Sequence, residues 1–588
     1  MIIPSILGEI RLEGNLAGWQ LTHTGTILEP DLEEIRIQME SDQELPPPQM
    51  SFLWSVPQID MQTRWTSGSI FRRNLPPDWS GKESSQLASN IPMQTFLNLK
   101  GQNRLTLAVS EAKRFVQFSG GVNEESNRIK GEFTLFMRPE APIRSYEVTL
   151  RIDRRSIFYA DAIRAVSEWF ASFPEYKPSR APDAAFEAIY SSWYSYHQDL
   201  FDHELEKECA LAKEFGLNGI IVDDGWQTED NQRGYAWCGD WGIARKRFPD
   251  MRAHVEKIHA LGMKYIIWYS VPFAGIKSRL YQKFQGKFLY ELPRLNTAVL
   301  DPRFPEVREY LINTYETAIR EWNLDGFKLD FIDSFSFNGG DDPAVAENYA
   351  GRDIKSLPEA VDLLLSEVMR RLRALKPDIL IEFRQSYIGP AIRKYGNMLR
   401  AADCPADILS NRVRTLDLRL TSGNTAVHSD MLEWNEEDSA ETAALQLLNV
   451  LFSVPQISVR LEAIPENHRR MLRFWLDFIA LHRDVLLHGY LKPFHPDLNY
   501  PIVSSETAKE KVIAVYNHGQ IVKIACEPGK TCFLVNATGR SEVYIDLQNA
   551  PLSVEVFDTL GRPVPAGEAA VGVAKVSIPY SGLMVLKF

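Results

Sequence analysis

The sequence predicts a multidomain protein built from an N-terminal β-sandwich, a central (β/α)8 TIM barrel and a C-terminal antiparallel β-sandwich. Three observations carry this. Residues 1–165 hold many short alternating segments broken by Gly, Pro, Asn and Ser, the pattern of a sandwich. Residues 185–490 switch to short apolar strands alternating with amphipathic helices, the pattern of parallel βα units. Residues 491–588 return to alternating strands, and 166–184 form a linker with a helix.

In the first part, strands are expected at 34–39, 95–100, 104–109 and 146–152. Trp54, Trp65 and Trp79 lie in Pro- and Ser-rich surroundings and are read as anchors under long loops. A helix over 160–173 leads into Phe173-Pro-Glu-Tyr-Lys-Pro-Ser-Arg-Ala-Pro182, whose three prolines mark the meeting of two domains. Eight barrel strands follow, at 188–193, 219–223, 265–269, 326–330, 379–383, 398–401, 425–429 and 456–460. The seventh and eighth have weak periodicity. Helices are expected at 204–215, 251–261, 305–322, 357–375 and 440–452, and a long one over 465–487, opened by Pro465, closes the barrel. Strands at 512–516, 521–525, 553–557 and 583–588 form the last domain.

Composition narrows the function classes. The chain has 588 residues, with 45% hydrophobic and 24% charged, which suits ordinary globular cores. A net charge of −12 without a basic stripe argues against a nucleic-acid partner. No run of about 18 apolar residues exists, so no membrane span is expected. The start, Met1-Ile-Ile-Pro-Ser-Ile, lacks the basic and apolar regions of a secretory signal. The five scattered cysteines suit a reducing cytoplasm better than a disulfide framework, and neither Cys nor His shows metal-ligand spacing.

The chemistry is expected around Asn323-Leu-Asp-Gly-Phe-Lys-Leu-Asp-Phe-Ile-Asp-Ser334. A parallel barrel strand should read as continuous hydrophobics, yet Lys328 and Asp330 interrupt this one and point to the same side. Burying both is costly unless they pair or bind something, and the ends of barrel strands carry catalytic groups. A purely structural Lys–Asp pair is the alternative. Gly219-Ile-Ile-Val-Asp-Asp-Gly-Trp226 ends in two adjacent carboxylates suited to vicinal hydroxyls, with Trp226 as a pocket wall; a capped turn is the alternative. Trp237-Cys-Gly-Asp-Trp241 suits a sugar, with its apolar face and polar rim. Glu382 and Arg384 share a strand face, so either they pair or Arg384 orients a catalytic carboxylate. Asp403, at the end of the sixth strand, fits a catalytic acid, and Asp407 a helix N-terminus. His428 is a candidate for lining the site. Asp430 is counted among the substrate-binding residues and held in reserve as the acid, and Trp193, at the end of the first strand, joins the substrate-binding set. Two carboxyls flanking a hydroxyl-binding pocket describe glycoside hydrolysis.

Asp223-Asp-Gly-Trp226, Gly239-Asp-Trp241, Lys328-Leu-Asp330 and Arg400-Ala-Ala-Asp403, in this order, resemble the α-galactosidases of glycoside hydrolase family 36. The resemblance implies a retaining exo-glycosidase acting on galactose-containing oligosaccharides. It makes Asp330 the nucleophile and Asp403 the acid/base. Asp223, Asp224 and Lys328 would bind sugar hydroxyls, Trp241 would line the pocket, and Arg400 would flank the acid/base. No metal or organic cofactor is implied, and a homo-oligomer is left open. The chain departs from the family where many members carry a Cys- and Gly-rich turn after the fifth strand; here stands Phe383-Arg-Gln-Ser386. That departure bears on the 2-substituent of the sugar. Two other readings stand: an α-N-acetylgalactosaminidase or glycosyltransferase of the same fold, and a sugar-binding barrel without catalysis.

Overall fold

The computed structural model describes residues 1–230, 232, 234–336, 351–567 and 569–588. Two six-stranded sheets build the N-terminal part. Strand Met50–Pro57 shows how its sequence folds it: Met50, Phe52, Trp54 and Val56 alternate inward, and their partners face out. Trp54 is core, but Trp79 is 69% exposed and lies open to solvent. Trp65 leaves its own domain and joins the barrel, donating its indole N–H to Asp417 and Tyr500, each at 3.3 Å. Helix Tyr159–Ser172 then carries the chain to the barrel.

Eight parallel strands close into a barrel, Ile189–Ser191, Gly219–Val222, Lys264–Ser270, Gly326–Asp330, Leu380–Arg384, Met398–Arg400, Ala426–Leu432 and Val454–Ile457. The last pairs with the first through Tyr190 and Ile457. Each expected barrel strand has its counterpart. The eighth begins two residues earlier than its periodicity suggests and ends at Ile457, after which the Ser458 hydroxyl donates to the Ser191 carbonyl at 2.6 Å. Between the third strand and its helix lies an unanticipated antiparallel sheet, Phe273–Gly275, Phe288–Leu292 and Thr297–Leu300. It leans on the fourth strand's end, where Phe273 stacks on Phe331 with centroids 4.6 Å apart.

Asp407 does cap a helix, Ile408–Thr421, accepting from the Ser410 amide at 3.0 Å. The closing helix differs from expectation. It spans Glu466–Leu481 with Pro465 outside at the cap, and the rest is a separate π-helical turn, Asp484–His488. The C-terminal strands form a seven-stranded and a three-stranded sheet. Most pairs are antiparallel as expected, but Glu510–Val515 with Thr531–Asn536, and Ile521–Ile524 with Glu542–Leu547, run parallel. No described helix is long and apolar enough to cross a membrane.

Candidate active site

The fourth barrel strand is held tightly against the fifth. Gly326 is needed there, since a Cβ on it would lie 2.2 Å from the Leu380 carbonyl oxygen. Alternation then puts Phe327 and Leu329 among the core aromatics and aliphatics and turns Lys328 and Asp330 to the other side. Lys328 and Asp330 are buried, 4% and 6% exposed, so both need partners. The Lys328 ammonium finds Asp223, 2.5 Å from its Oδ2, rather than pairing within its own strand.

Asp330 is surrounded by donors. Its Oδ1 accepts from Arg384 Nε at 2.8 Å, from the Phe331 amide at 2.8 Å and from the Tyr387 hydroxyl. Phe331 takes a left-handed φ of 64°, which brings its own N–H back onto this oxygen. Oδ2 accepts from the Trp268 indole at 3.0 Å. Burial alone would raise the Asp330 pKa, but Arg384, Lys328 and the Tyr387 and Trp268 bonds together hold it well below the usual carboxylate range. Asp330 is therefore a buried carboxylate held toward its ionised form, with one oxygen accepting three bonds and the other held by a single N–H.

The second strand supplies the neighbouring carboxylates. Asp223 Oδ1 accepts from the Asp224 amide at 2.9 Å while its Oδ2 meets Lys328. Asp224 is bonded by Gln198 Nε2 at 2.7 Å and Gln227 Nε2 at 2.6 Å. Burial pushes its pKa up to about 6, against the lowering pull of those two amides. The aromatic expectations divide. Trp226 is fully buried, so it does not wall a pocket; its indole N–H bonds the Trp268 carbonyl and its ring stacks on Trp241 at 6.0 Å. Trp241 is 6% exposed, packed against Tyr269 and edge-on to Trp268. Trp237 is 43% exposed. Asp240 accepts from the Arg279 and Leu280 amides, both at 2.9 Å, and so holds the start of the helix that follows Ser278.

Arg384 and Glu382 do not pair. Arg384 takes the alternative role and holds Asp330, whereas Glu382 accepts from Gln456 Nε2 at 2.5 Å and faces Arg400 Nε at 3.5 Å. Arg400, 1% exposed, reaches Asp403 Oδ1 at 2.8 Å with Nη2 and Asp430 with Nη1. Asp403 keeps a half-exposed side chain, 52%, at the mouth of the barrel. Burial of its other half would raise its pKa, but Arg400 and Lys328 bring it below the ordinary value.

Three expectations need correction. Asp430 is wholly buried and its oxygens are taken by Arg400, the Cys404 amide at 2.5 Å and the Tyr194 hydroxyl at 2.8 Å, so it presents no open oxygen to a ligand. His428 is also buried, its Nε2 at 2.8 Å from the Ala185 carbonyl, and burial pushes its pKa down to about 4; it is a neutral core residue. Trp193 falls outside the strand, opening a one-turn helix, Trp193–Tyr196, with its ring against His197 at 5.0 Å.

Trp268, Tyr387, Gln198 and Tyr194 were missed. Trp268 had a signal: it stands on a barrel strand in register with Lys328. Gln198 and Tyr387 reach the site from turns and loops, and Tyr194 from a one-turn helix too short to show a period.

The sequence profile of the Melibiase family matches residues 159–387. The chain is 26% identical to Alpha-galactosidase Mel36A of Lactobacillus acidophilus over 163 residues, 26% of this chain and 21% of that protein. It is also 26% identical over 177 residues to the A type blood alpha-D-galactosamine galactosaminidase of Flavonifractor plautii, covering 26% of this chain and 15% of that one. The chain thus aligns with well under a third of the length of either relative. Among solved structures, the family 36 α-galactosidase AgaA of Geobacillus stearothermophilus, in complex with stachyose, superposes with a TM-score of 0.69 at 15% identity, over 97% of this chain and 82% of that chain. Residues 159–387 thus resemble the Melibiase family in sequence, and the whole chain shares the fold of the family 36 α-galactosidase AgaA.

Proposed function

We propose that this protein is a retaining exo-α-galactosidase that removes terminal α-galactosyl residues from oligosaccharides by double displacement. The observation that carries the reading is Asp330. A nucleophilic carboxylate must be ionised in a water-poor site and must leave one oxygen able to attack. Arg384, Tyr387 and the Phe331 amide fix Oδ1, and Oδ2 keeps only the Trp268 bond. Asp403 suits the acid/base because, unlike Asp430, it reaches the open side of the barrel. In the free protein Arg400 favours its charge; bound sugar would strip water from its exposed half and raise its pKa toward the protonated form that the first step needs.

Asp223, Asp224 and Lys328 form a fixed polar wall for sugar hydroxyls. Arg384 bears on the choice between galactose and its 2-acetamido analogue. A sugar attacked at C1 by Oδ2 places its 2-substituent near Oδ1, where Arg384 and Tyr387 already stand. That crowding favours a 2-hydroxyl. The five buried free thiols suit a reducing compartment, and we place the protein in the cytoplasm.

A panel of nitrophenyl glycosides tests the reading. The α-galactoside should be turned over well ahead of the α-glucoside, because a site that hydrogen-bonds the axial 4-hydroxyl discriminates strongly. Equal turnover of both, or preference for the 2-acetamido sugar, would overturn the assignment of galactose. In the same assay, Asp224→Ala should lower kcat/KM by more than about tenfold, since a polar site rejects a partner it can no longer pair. Wild-type kcat/KM should also fall as pH drops through about 6, where Asp224 takes up its proton and ceases to be a full acceptor. Loss of that limb in Asp224→Ala assigns it to Asp224.

A further inference from the structure

One buried guanidinium serves three carboxylates. Arg400 meets Glu382 from the fifth strand through Nε, Asp403 from its own loop through Nη2 and Asp430 from the seventh strand through Nη1. Glu382 and Asp430 are fully buried, and only Asp403 reaches solvent. One positive charge does not neutralise three negative ones, so the carboxylates compete for it.

We propose that Asp430 is a positioning residue for the acid/base: as an ionised partner of Arg400 it keeps that guanidinium from stabilising the charge of Asp403 alone, so Asp403 can hold the proton it must donate. This rests on the reading of Asp403 as the acid/base. The donor geometry favours charge on Asp430. Arg400 Nη1, the Cys404 amide and the Tyr194 hydroxyl all donate to it. The guanidinium and the amide can only donate, so a neutral carboxyl there could place its O–H only against the Tyr194 hydroxyl. Burial, with Asp403, raises its pKa above the ordinary carboxylate value, and Arg400, the Cys404 amide and the Tyr194 hydroxyl pull against that rise.

The groups that set the proton affinity of Asp403 come from every neighbouring element. Arg400, Lys328 and Arg384 lower it. Among the anions, Asp330 and Asp223 are tied to Arg384 and Lys328, and Glu382 lies behind Arg400. Glu433, just beyond the seventh strand's end, lies in the field of Asp430, which with burial raises its pKa. Asp430 is the anion that shares the fork of Arg400 most directly with Asp403.

Removing the Asp430 charge should therefore lower the Asp403 pKa. The acid would then be protonated only at lower pH, and the basic limb of kcat/KM would move down. In Asp430→Asn, measured on an α-galactoside with a poor leaving group, we expect a downward shift of about one pH unit or more, the scale of one adjacent charge. A dinitrophenyl α-galactoside, which needs no proton to depart, should show no such shift. Tyr194→Phe removes one donor from Asp430 and should move the limb in the same direction by less; Tyr194 is only half-buried, so this variant decides the matter if Asp430→Asn does not fold. A basic limb unmoved or raised in the folded variants overturns the inference. Failure of the underlying reading looks different: Asp403→Gly would then cleave poor leaving groups as well as the wild type does.

Discussion

Asp330→Gly should lose turnover on every substrate, by about 10^4-fold or more, the range seen when a covalent nucleophile is removed. Adding azide should restore cleavage of an activated α-galactoside and yield the β-galactosyl azide. The small anion would enter the space left by the carboxylate and attack the face opposite the leaving group. The variant should also be less stable. Arg384, Tyr387 and Trp268 lose their common acceptor, and unpaired buried donors are costly. The sign agrees with the depressed pKa of Asp330, whose ionised form stabilises the fold above the unfolded carboxylate range, a contribution lost only as pH falls through its lowered value. Rescue by azide separates missing chemistry from missing structure. If the product is instead the α-azide, or if activity survives without azide, Asp330 is not the nucleophile.

Asp403→Gly should fail in a different way. Natural disaccharides, whose alkoxide leaving group needs a proton, should be cleaved about 10^2- to 10^4-fold more slowly, the usual worth of general acid catalysis. Dinitrophenyl α-galactoside should still react in the first step, because that leaving group departs unprotonated. Without the base, the second step should stall, and azide should then release the enzyme as the α-azide. Disaccharide cleavage at the wild-type rate would remove Asp403 from the mechanism. Asp430 would not inherit the role, since its oxygens are fully engaged and it lies away from solvent.

The barrel was legible because its strands are apolar on both faces and therefore stand out between amphipathic helices. Within it, charged residues on a buried strand were the informative anomaly. Lys328 and Asp330, and the Asp223–Asp224 pair, were recognisable because burial of such groups demands a partner. The partners themselves were not legible. Lys328 takes Asp223 from two strands away in the barrel order, and Arg384 takes Asp330 rather than Glu382 two residues along its own strand. Closure of the barrel, not local spacing, decides such pairings. The same limit explains Asp430. Charge on a strand marks it as notable, but only the structure shows that Arg400, Cys404 and Tyr194 use it up. Trp226 and Trp79 show the limit of reading aromatics by neighbourhood: the first is core and the second lies open to solvent. The sheet inserted after the third strand escaped notice because its segments are too short to show a period.

The claim that Asp330 forms a covalent bond to galactose is tested most directly in Asp403→Gly, where the second step is blocked. The variant is mixed with dinitrophenyl α-galactoside, quenched in acid, digested and mapped by mass spectrometry. One galactosyl unit should be found on the peptide that contains Asp330, formed at the rate of the dinitrophenolate burst. A galactosyl unit on another side chain, or no adduct while free β-galactose is released, would contradict it.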